Sequence, residues 1–391
     1  MKKHIVNSKQ LSLCFASMVI NGFYATSACL IMPLLRSEYG FSYQIGGMFL
    51  SALGVGNFIA SFLAGFLPRL TGRKASAMAL SFNSFLGYVL ITLTGNPIWL
   101  LFFFFLIGIS KGAVYNASNL AVLKRRENKT RNMNLLHASF AVGSLLCPII
   151  ISASSLFPAR WHASCLLIAG VALCLQPIYW KSEFGEDTGS KANETQDWRF
   201  LRDGRFWAVT GVVFFEISTE VSVTGWLVSY FTDSGLMPVS LAQYMISVTW
   251  IFMLIGRFST ALLPIGTEYR KSVFTLLMSA GTVLFFTVML FSGRTIPTVA
   301  SLILFILSIS GIQPTALSGL RQSNITPAAV SMLLSIGSAG GVIMPVAVGF
   351  VAQWAGVWAG MTFVELSAVA MLVCALADFL FRRTLSEEKS D

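Results

Sequence analysis

The sequence predicts an all-α integral membrane protein with twelve transmembrane helices. Composition is the first observation behind this. Of 391 residues, 55% are hydrophobic and 11% charged, whereas a soluble domain carries about 25% charged residues. The second is the grouping of the apolar residues into twelve blocks, 11–35, 45–67, 75–93, 99–122, 135–156, 161–180, 207–230, 241–263, 273–291, 299–317, 330–351 and 357–380. Each is near the ~20 residues that a hydrocarbon layer about 30 Å thick requires. The third is the placing of Lys and Arg in the short segments between blocks. In lipid the backbone must satisfy its own hydrogen bonds, so each block is expected to be a helix.

The first block follows "MKKHIVNSKQ", and "ATSAC" at 25–29 resembles a signal cleavage site. The apolar run nevertheless continues to Leu35, long enough to span, so an uncleaved first helix is expected. With the N-terminus inside, 22 of the 27 Lys and Arg residues fall on the inner side. Only Arg36, Arg160 and Arg294 fall outside, while Lys111 and Arg257 lie within helices. This bias predicts a cell (cytoplasmic) membrane protein with both termini cytoplasmic. It also accounts for the net charge of +10 as a topology signal, so no nucleic-acid partner is expected. The six cysteines fall within apolar blocks without metal-ligand spacing and read as small core hydrophobes. The long polar stretch 181–205 separates an N-terminal six-helix bundle (1–180) from a C-terminal one (206–391) as a cytoplasmic linker. Within it "DWRFLRDGRFW" predicts a short interfacial helix, with Trp198 and Phe200 in the headgroups.

The halves repeat. "FAVGSLLCPII" (140–150) and "GSAGGVIMPVA" (337–347) place Gly143 and Pro148 in register with Gly340 and Pro345, 197 residues on. "GNF" (56–58) in the second block matches "GRF" (256–258) in the eighth, and "GFLPRLTGRK" is echoed by "GTEYRK". Such self-similarity indicates a duplicated unit, hence two pseudo-symmetric bundles.

"GFLPRLTGRK" (65–74) resembles the loop between helices two and three of the major facilitator superfamily through Gly65, Leu67, Gly72, Arg73 and Lys74. The family's acidic position is Arg69 here, so the latch in which that acid takes part is expected to be altered. "NLLHASFAVGSLLCP" (134–148) and "EVSVTGWLVSYF" (220–231) are similar to the branch of fucose–proton symporters and related sugar permeases. The resemblance implies a major facilitator fold, two bundles rocking about a central site, and a cavity lined by helices one, four, seven and ten. It also implies a gating role for Arg73 and Lys74.

Charges inside the blocks are few. A charge near mid-bilayer costs at least ~2.5–3.5 kcal/mol, so it is normally paired or faces water. Lys111 lies in helix four, Glu216 and Glu220 in helix seven, Arg257 in helix eight and Glu365 in helix twelve. Asp378, near the inner end of helix twelve, is expected to reach water. Glu216 and Glu220, four residues apart, stack on one helix face about 6 Å apart, too close for both to ionise easily without a cation. Lys111 is expected to be their charge partner or a substrate anchor. Glu220 matches the acid that the permease branch carries before its helix-seven tryptophan, which assigns it proton coupling, with Glu216 beside it. Arg257 reads as one arm of a packing or gating ion pair, with substrate contact as the alternative, and Glu365 as a second candidate for such a pair. The resemblance has a limit, because the family's acids of helices one and four are missing: helix one offers Asn21 and Tyr24, and helix four offers Lys111.

Further polar candidates for a substrate are Tyr115 and Asn116 on helix four, Asn134 on helix five, Trp226 on helix seven and Gln313 on helix ten. Amides grip hydroxyls from both donor and acceptor sides, and aromatic faces stack on sugar rings. Trp226 reads equally well as an interfacial belt residue, and His137 as a packing or capping group. No hydrolase triad, phosphate-binding loop or metal cluster is present in the sequence. The chain is therefore expected to be no enzyme and to need no cofactor, with a proton gradient as driver and sodium as the alternative ion. The expected function is proton-coupled import of a small polar solute, a sugar or sugar-like organic anion, by a monomer in the lipid bilayer. The alternative is proton-driven efflux of amphiphilic compounds, suggested by the Gly-x-x-x-x-Pro element of helix five and by 32 Phe residues.

Overall fold

The structure, a computed structural model, describes residues 8–41, 43–64, 66–125, 127–154, 160–181, 198–321 and 325–387. Most of the expected linker, residues 182–197, lies outside them, as does Gly65 of the helix two–three loop. All regular structure among the described residues is helical. The helices are α1 (Ser8–Tyr39), α2 (Tyr43–Leu63), α3 (Arg73–Ile91), α4 (Pro97–Leu123), α5 (Lys129–Ser154) and α6 (Arg160–Leu173, continuing as Leu175–Lys181). Then follow α7 (Gly204–Asp233), α8 (Val239–Leu262), α9 (Glu268–Phe291) and α10 (Thr295–Ser310, continuing as Ile312–Ser318). The last helical stretch, Pro327–Glu387, turns at Gly356, whose φ of 84° is left-handed, and so forms α11 (327–355) and α12 (357–387). Each of the twelve apolar blocks thus falls on a helix. Eight helices among the described residues meet the length and apolarity needed to cross a membrane by themselves, and the α11–α12 stretch counts once among them.

The ends and breaks follow from local chemistry. Asn96 accepts from the amide of Ile98 and caps α4, with Pro97 at the first helical position. Asp203 and Thr267 cap α7 and α9 in the same way. α6 is interrupted at Cys174 and α10 at Gly311. In each case a proline lies three residues beyond, Pro177 and Pro314, and withholds the N–H that the carbonyl four residues back would receive.

The helices form two compact units. The first holds α1–α4, α5 from Ser139 onward, α6, and the opening of α11 (Ile325–Ser335). The second holds α7–α10, α11 from Ile336, α12, and the opening of α5 (Glu127–Ala138). Helices α5 and α11 therefore each contribute to both units.

The sequence repeat is a packing repeat. In the first unit a methyl group on Gly143 of α5 would overlap the Val19 carbonyl of α1. In the second, one on Gly340 of α11 would overlap the Phe214 carbonyl of α7. Likewise Gly56 of α2 admits the Phe105 carbonyl of α4, and Gly256 of α8 admits Ser310 of α10. Without apolar side chains to bring helices together from water, such close backbone approach is what fixes the crossings in a bilayer. The apolar run of α4 is divided by face: Phe103 and Phe104 are buried, with Phe104 stacked on Phe49 of α2 at 5.2 Å, while Phe102 is exposed.

The segment at 199–202 is a single 3-10 turn. Trp198 is exposed as expected, but Phe200 is buried, packing against Phe206 with ring centres 4.9 Å apart. The Asp203 cap starts α7 immediately afterwards, which brings Phe200 and Phe206 onto one side and takes the Phe200 ring into the protein instead of the headgroups.

Candidate functional site

In the first unit, α1, α3 and α4 carry the expected polar residues. Asn21 donates to the Lys111 carbonyl at 3.3 Å, while its own Oδ1 is buried with no hydrogen-bond partner among the described residues. Lys111 is partly buried, one residue before Gly112, where a methyl group would overlap the Asn57 carbonyl of α2. Tyr24 is fully buried and shares a 3.0 Å hydrogen bond with Ser110; Ser110 also donates to the Ser81 carbonyl of α3. Tyr88 donates in turn to the Tyr24 carbonyl at 2.8 Å. Tyr24 therefore serves a network joining α1, α3 and α4.

Asn116 is consumed in the same way. Its amide donates to the Ser61 carbonyl of α2 and to the Ser331 hydroxyl of α11, both at 2.9 Å, and its Oδ1 accepts from Ser331 at 3.2 Å. It ties α2, α4 and α11 together within this unit. Tyr115 lies on the next, partly buried position, and its carbonyl accepts from Asn119. On α3, Arg73 opens the helix and Lys74 places its ammonium 4.7 Å from the Trp180 ring centre on α6.

The second unit holds the denser cluster. Glu216 and Glu220 of α7 lie one turn apart, and Glu216 is completely buried. Neither oxygen of Glu216 has a hydrogen-bond partner among the described residues, and its charged neighbours are Glu220 and Arg257. Arg257 of α8 is buried and faces three acceptors: Glu220 Oε2 with Nη2, the Ser310 carbonyl of α10 with Nε, and the His137 carbonyl of α5 with Nη1, each at 3.4 Å. A tight charge-assisted bond is about 2.7–2.9 Å, so the guanidinium is shared and no single acceptor holds it. Ser310 is the carbonyl that Pro314 leaves without a backbone donor, since proline lacks an N–H.

The two helices whose carbonyls Arg257 bonds, α5 and α10, also carry two amides with spare valence. Asn134 of α5 donates to the Thr130 carbonyl at 3.0 Å and to Thr315 of α10 at 3.5 Å, leaving Oδ1 without a partner among the described residues. Gln313, two residues past the break in α10, is buried with no acceptor for Nε2 among them. Glu216, Asn134 and Gln313 thus offer a carboxyl group, an acceptor and a donor from three helices. Trp226 lies one and a half turns further along α7, donates to the Pro345 carbonyl at 3.3 Å and rests against Gly349, which holds it on α11.

Two expectations need correction. Glu365 stands in no ion pair among the described residues: its Oε1 accepts from the uncharged Thr287 hydroxyl of α9 at 2.8 Å. Asp378 is buried and does not reach water. It pairs with Arg382 at 2.8 Å and with Arg205 at 3.7 Å, at the end of the second unit where α7 and α9 begin and α10 ends. Arg382 also reaches Glu268, and Arg205 and Arg382 both donate to the Gly319 carbonyl at 3.2 Å. Lys271 donates to the Ser318 carbonyl at 3.0 Å. Three cations thereby satisfy the last carbonyls of α10, whose helix dipole favours them. Basic residues at span ends read from sequence as topology signals, which hid this role. Among the described residues no group of three or more His, Cys, Asp or Glu side chains could hold a metal ion.

Comparison with known proteins agrees with this architecture. Residues 14–328 match the Major Facilitator Superfamily. An uncharacterised transporter of this type from Yersinia pestis is 22% identical over 354 residues, which cover 89% of this chain and 88% of the relative. A single-residue variant of the Escherichia coli fucose:proton symporter FucP superposes with a TM-score of 0.78 at 19% identity, over 95% of this chain and 99% of that one. A FucP structure in the outward conformation gives 0.76 at 17% identity, over 94% and 98%. The human organic anion transporter MFSD10 gives 0.68 at 16% identity, over 94% and 99%. The chain belongs to the Major Facilitator Superfamily, and is a multi-pass membrane transporter and not an enzyme.

Proposed function

We propose that the protein imports a small polar solute, a sugar or sugar-like organic anion, together with protons, by alternating access. The observation that carries this is the Glu216–Glu220 pair of α7, the first fully buried and the second partly so, facing Arg257. Burial penalises a carboxylate that lacks donors, and binding a proton removes that charge. Glu220 is assigned as the proton-coupling group, exchanging a proton while Arg257 holds its carboxylate form, with Glu216 as its neighbour in the relay. Lys111, in the first unit, is assigned to anchor an anionic group of the solute. In the second unit Asn134 and Gln313 are assigned hydroxyl contacts, each having a free amide valence among the described residues. The fold similarity to a fucose:proton symporter and to an organic anion transporter supports both the ion and the solute class. The Lys and Arg bias supports a location in the cell membrane with both termini cytoplasmic. A monomer needing no cofactor suffices for this cycle.

Purified protein in vesicles loaded with a pH-sensitive dye tests the reading. A panel of neutral sugars, sugar acids and lipophilic cations is added outside. The expected result is saturable, solute-driven proton entry with a sugar or sugar acid, absent in Glu220→Gln. Proton exchange driven by lipophilic cations alone would replace this reading with amphiphile efflux.

A further inference from the structure

We propose that Arg257 is a positioning residue that transmits the protonation of Glu220 to the break in α10 and to the opening turns of α5. This rests on the reading of Glu220 as the proton-coupling carboxyl. Three features of the second unit carry it. Arg257 is the described residue that bonds α7, α5 and α10 at once, and its three contacts are equal in length at 3.4 Å. A guanidinium shared so evenly redistributes when one acceptor changes, because its five N–H donors sit in one rigid plane. Its Nε acceptor is the Ser310 carbonyl, which Pro314 has stripped of a helical donor, at the point where α10 is interrupted.

The third feature is the place of His137. It lies one residue before the point where α5 passes from the second unit to the first. Asn134, one turn earlier, is hydrogen-bonded to Thr315 beyond the same break in α10. The opening of α5 is thus fastened to both sides of the α10 interruption, on one side through Arg257. Gly256 and Gly311 make the fastening close: methyl groups on them would overlap Ser310 and Thr260, respectively. α8 and α10 are therefore in backbone proximity where the guanidinium acts.

The titratable and charged groups around Arg257 are Glu220 and Glu216 from α7 and His137 from α5. α10 presents the uncharged Ser310 and Gln313. When Glu220 is ionised, Nη2 is drawn toward α7, and the plane of the guanidinium sets Nε and Nη1 on Ser310 and His137. When Glu220 takes a proton, that pull is removed. The guanidinium is then no longer held in the plane that reaches Ser310 and His137, those two bonds loosen, and the α10 break and the α5 opening gain freedom.

Hydrogen–deuterium exchange of the full-length protein in lipid nanodiscs, at acid and alkaline pH and corrected for intrinsic exchange, tests this without a known solute. In wild type, peptides covering 306–318 and 132–142 are expected to exchange about tenfold faster at acid pH, the factor that a lost hydrogen bond to a charged group allows. Glu220→Gln and Arg257→Gln are expected to hold the fast level at both pH values. Arg257→Lys keeps the charge but not the planar fork. There the α7 peptides around Glu220 should still respond to pH while those of α10 and α5 no longer do. If α10 and α5 keep their pH response in Arg257→Lys, the guanidinium is not the link and the proposal falls alone. If Glu220→Gln leaves the response of α7, α10 and α5 unchanged, the assignment of Glu220 falls and takes the proposal with it.

Discussion

Replacing Arg257 with leucine is expected to destabilise the protein by about 3–5 kcal/mol, the usual result of removing one partner from a buried ion pair. Glu220, with 15% of its side chain exposed, loses the cation that answers it. The Ser310 carbonyl, already without its helical donor, loses Nε as well. Leucine restores apolar volume but neither donor. The double variant Arg257→Leu, Glu220→Leu should recover most of the loss, since a buried pair replaced as a pair is often close to neutral. What it does not recover, about 1–3 kcal/mol, is the unsatisfied Ser310 carbonyl. Thermal unfolding of the detergent-solubilised protein across this cycle gives both terms. A single variant as stable as wild type would mean that the 3.4 Å contacts contribute nothing to the fold.

The second large effect is expected at Arg382. Its guanidinium binds Asp378 at 2.8 Å, the Glu268 carbonyl at 2.7 Å, Glu268 Oε2 at 3.0 Å and the Gly319 carbonyl at 3.2 Å. The contact with Glu268 Oε2 adds little, since that side chain is 51% exposed and solvent screens it. The contacts with Asp378 and Gly319 are buried. Arg382→Leu leaves Asp378 with Arg205 alone, at 3.7 Å, and should cost about 3–5 kcal/mol. Arg382→Lys retains one charge but not the fork, and should fall between the two. The same thermal assay reads this series; equal stability of the Leu and Lys variants would show that charge, and not the fork geometry, holds α12 to α9 and α10.

The helices were legible because each apolar block had to satisfy its own backbone in lipid, whatever its neighbours. The repeat was legible for a related reason. Gly143 and Gly340, and Gly56 and Gly256, mark the same close approaches in each half, and only glycine permits them. The partner of Glu220 was harder to find. Lys111 and Arg257 are both cations within apolar spans. Which cation met the acid depended on the rotation of α7 against α8, and spacing along one chain does not encode that rotation. A local signal was nevertheless present in "SGIQP" (310–314): a proline inside a span frees the carbonyl four residues back, and that carbonyl needs a donor from elsewhere. Arg257 supplies it. Tyr24 and Asn116 show the converse. Polar side chains in a span look like ligands for a solute, yet both are taken up by neighbouring helices. Phe200 and Asp378 were misjudged because amphipathic ends of spans can face protein as readily as headgroups.

The central claim is that Glu220 exchanges a proton within its ion pair with Arg257. Infrared difference spectroscopy of the reconstituted protein tests it most directly. The difference is taken between an alkaline and an acid buffer, with Glu220→Gln measured beside the wild type. The account predicts a protonated-carboxyl band that appears on acidification in wild type and is lost in Glu220→Gln. The same band, undiminished in Glu220→Gln, would contradict it.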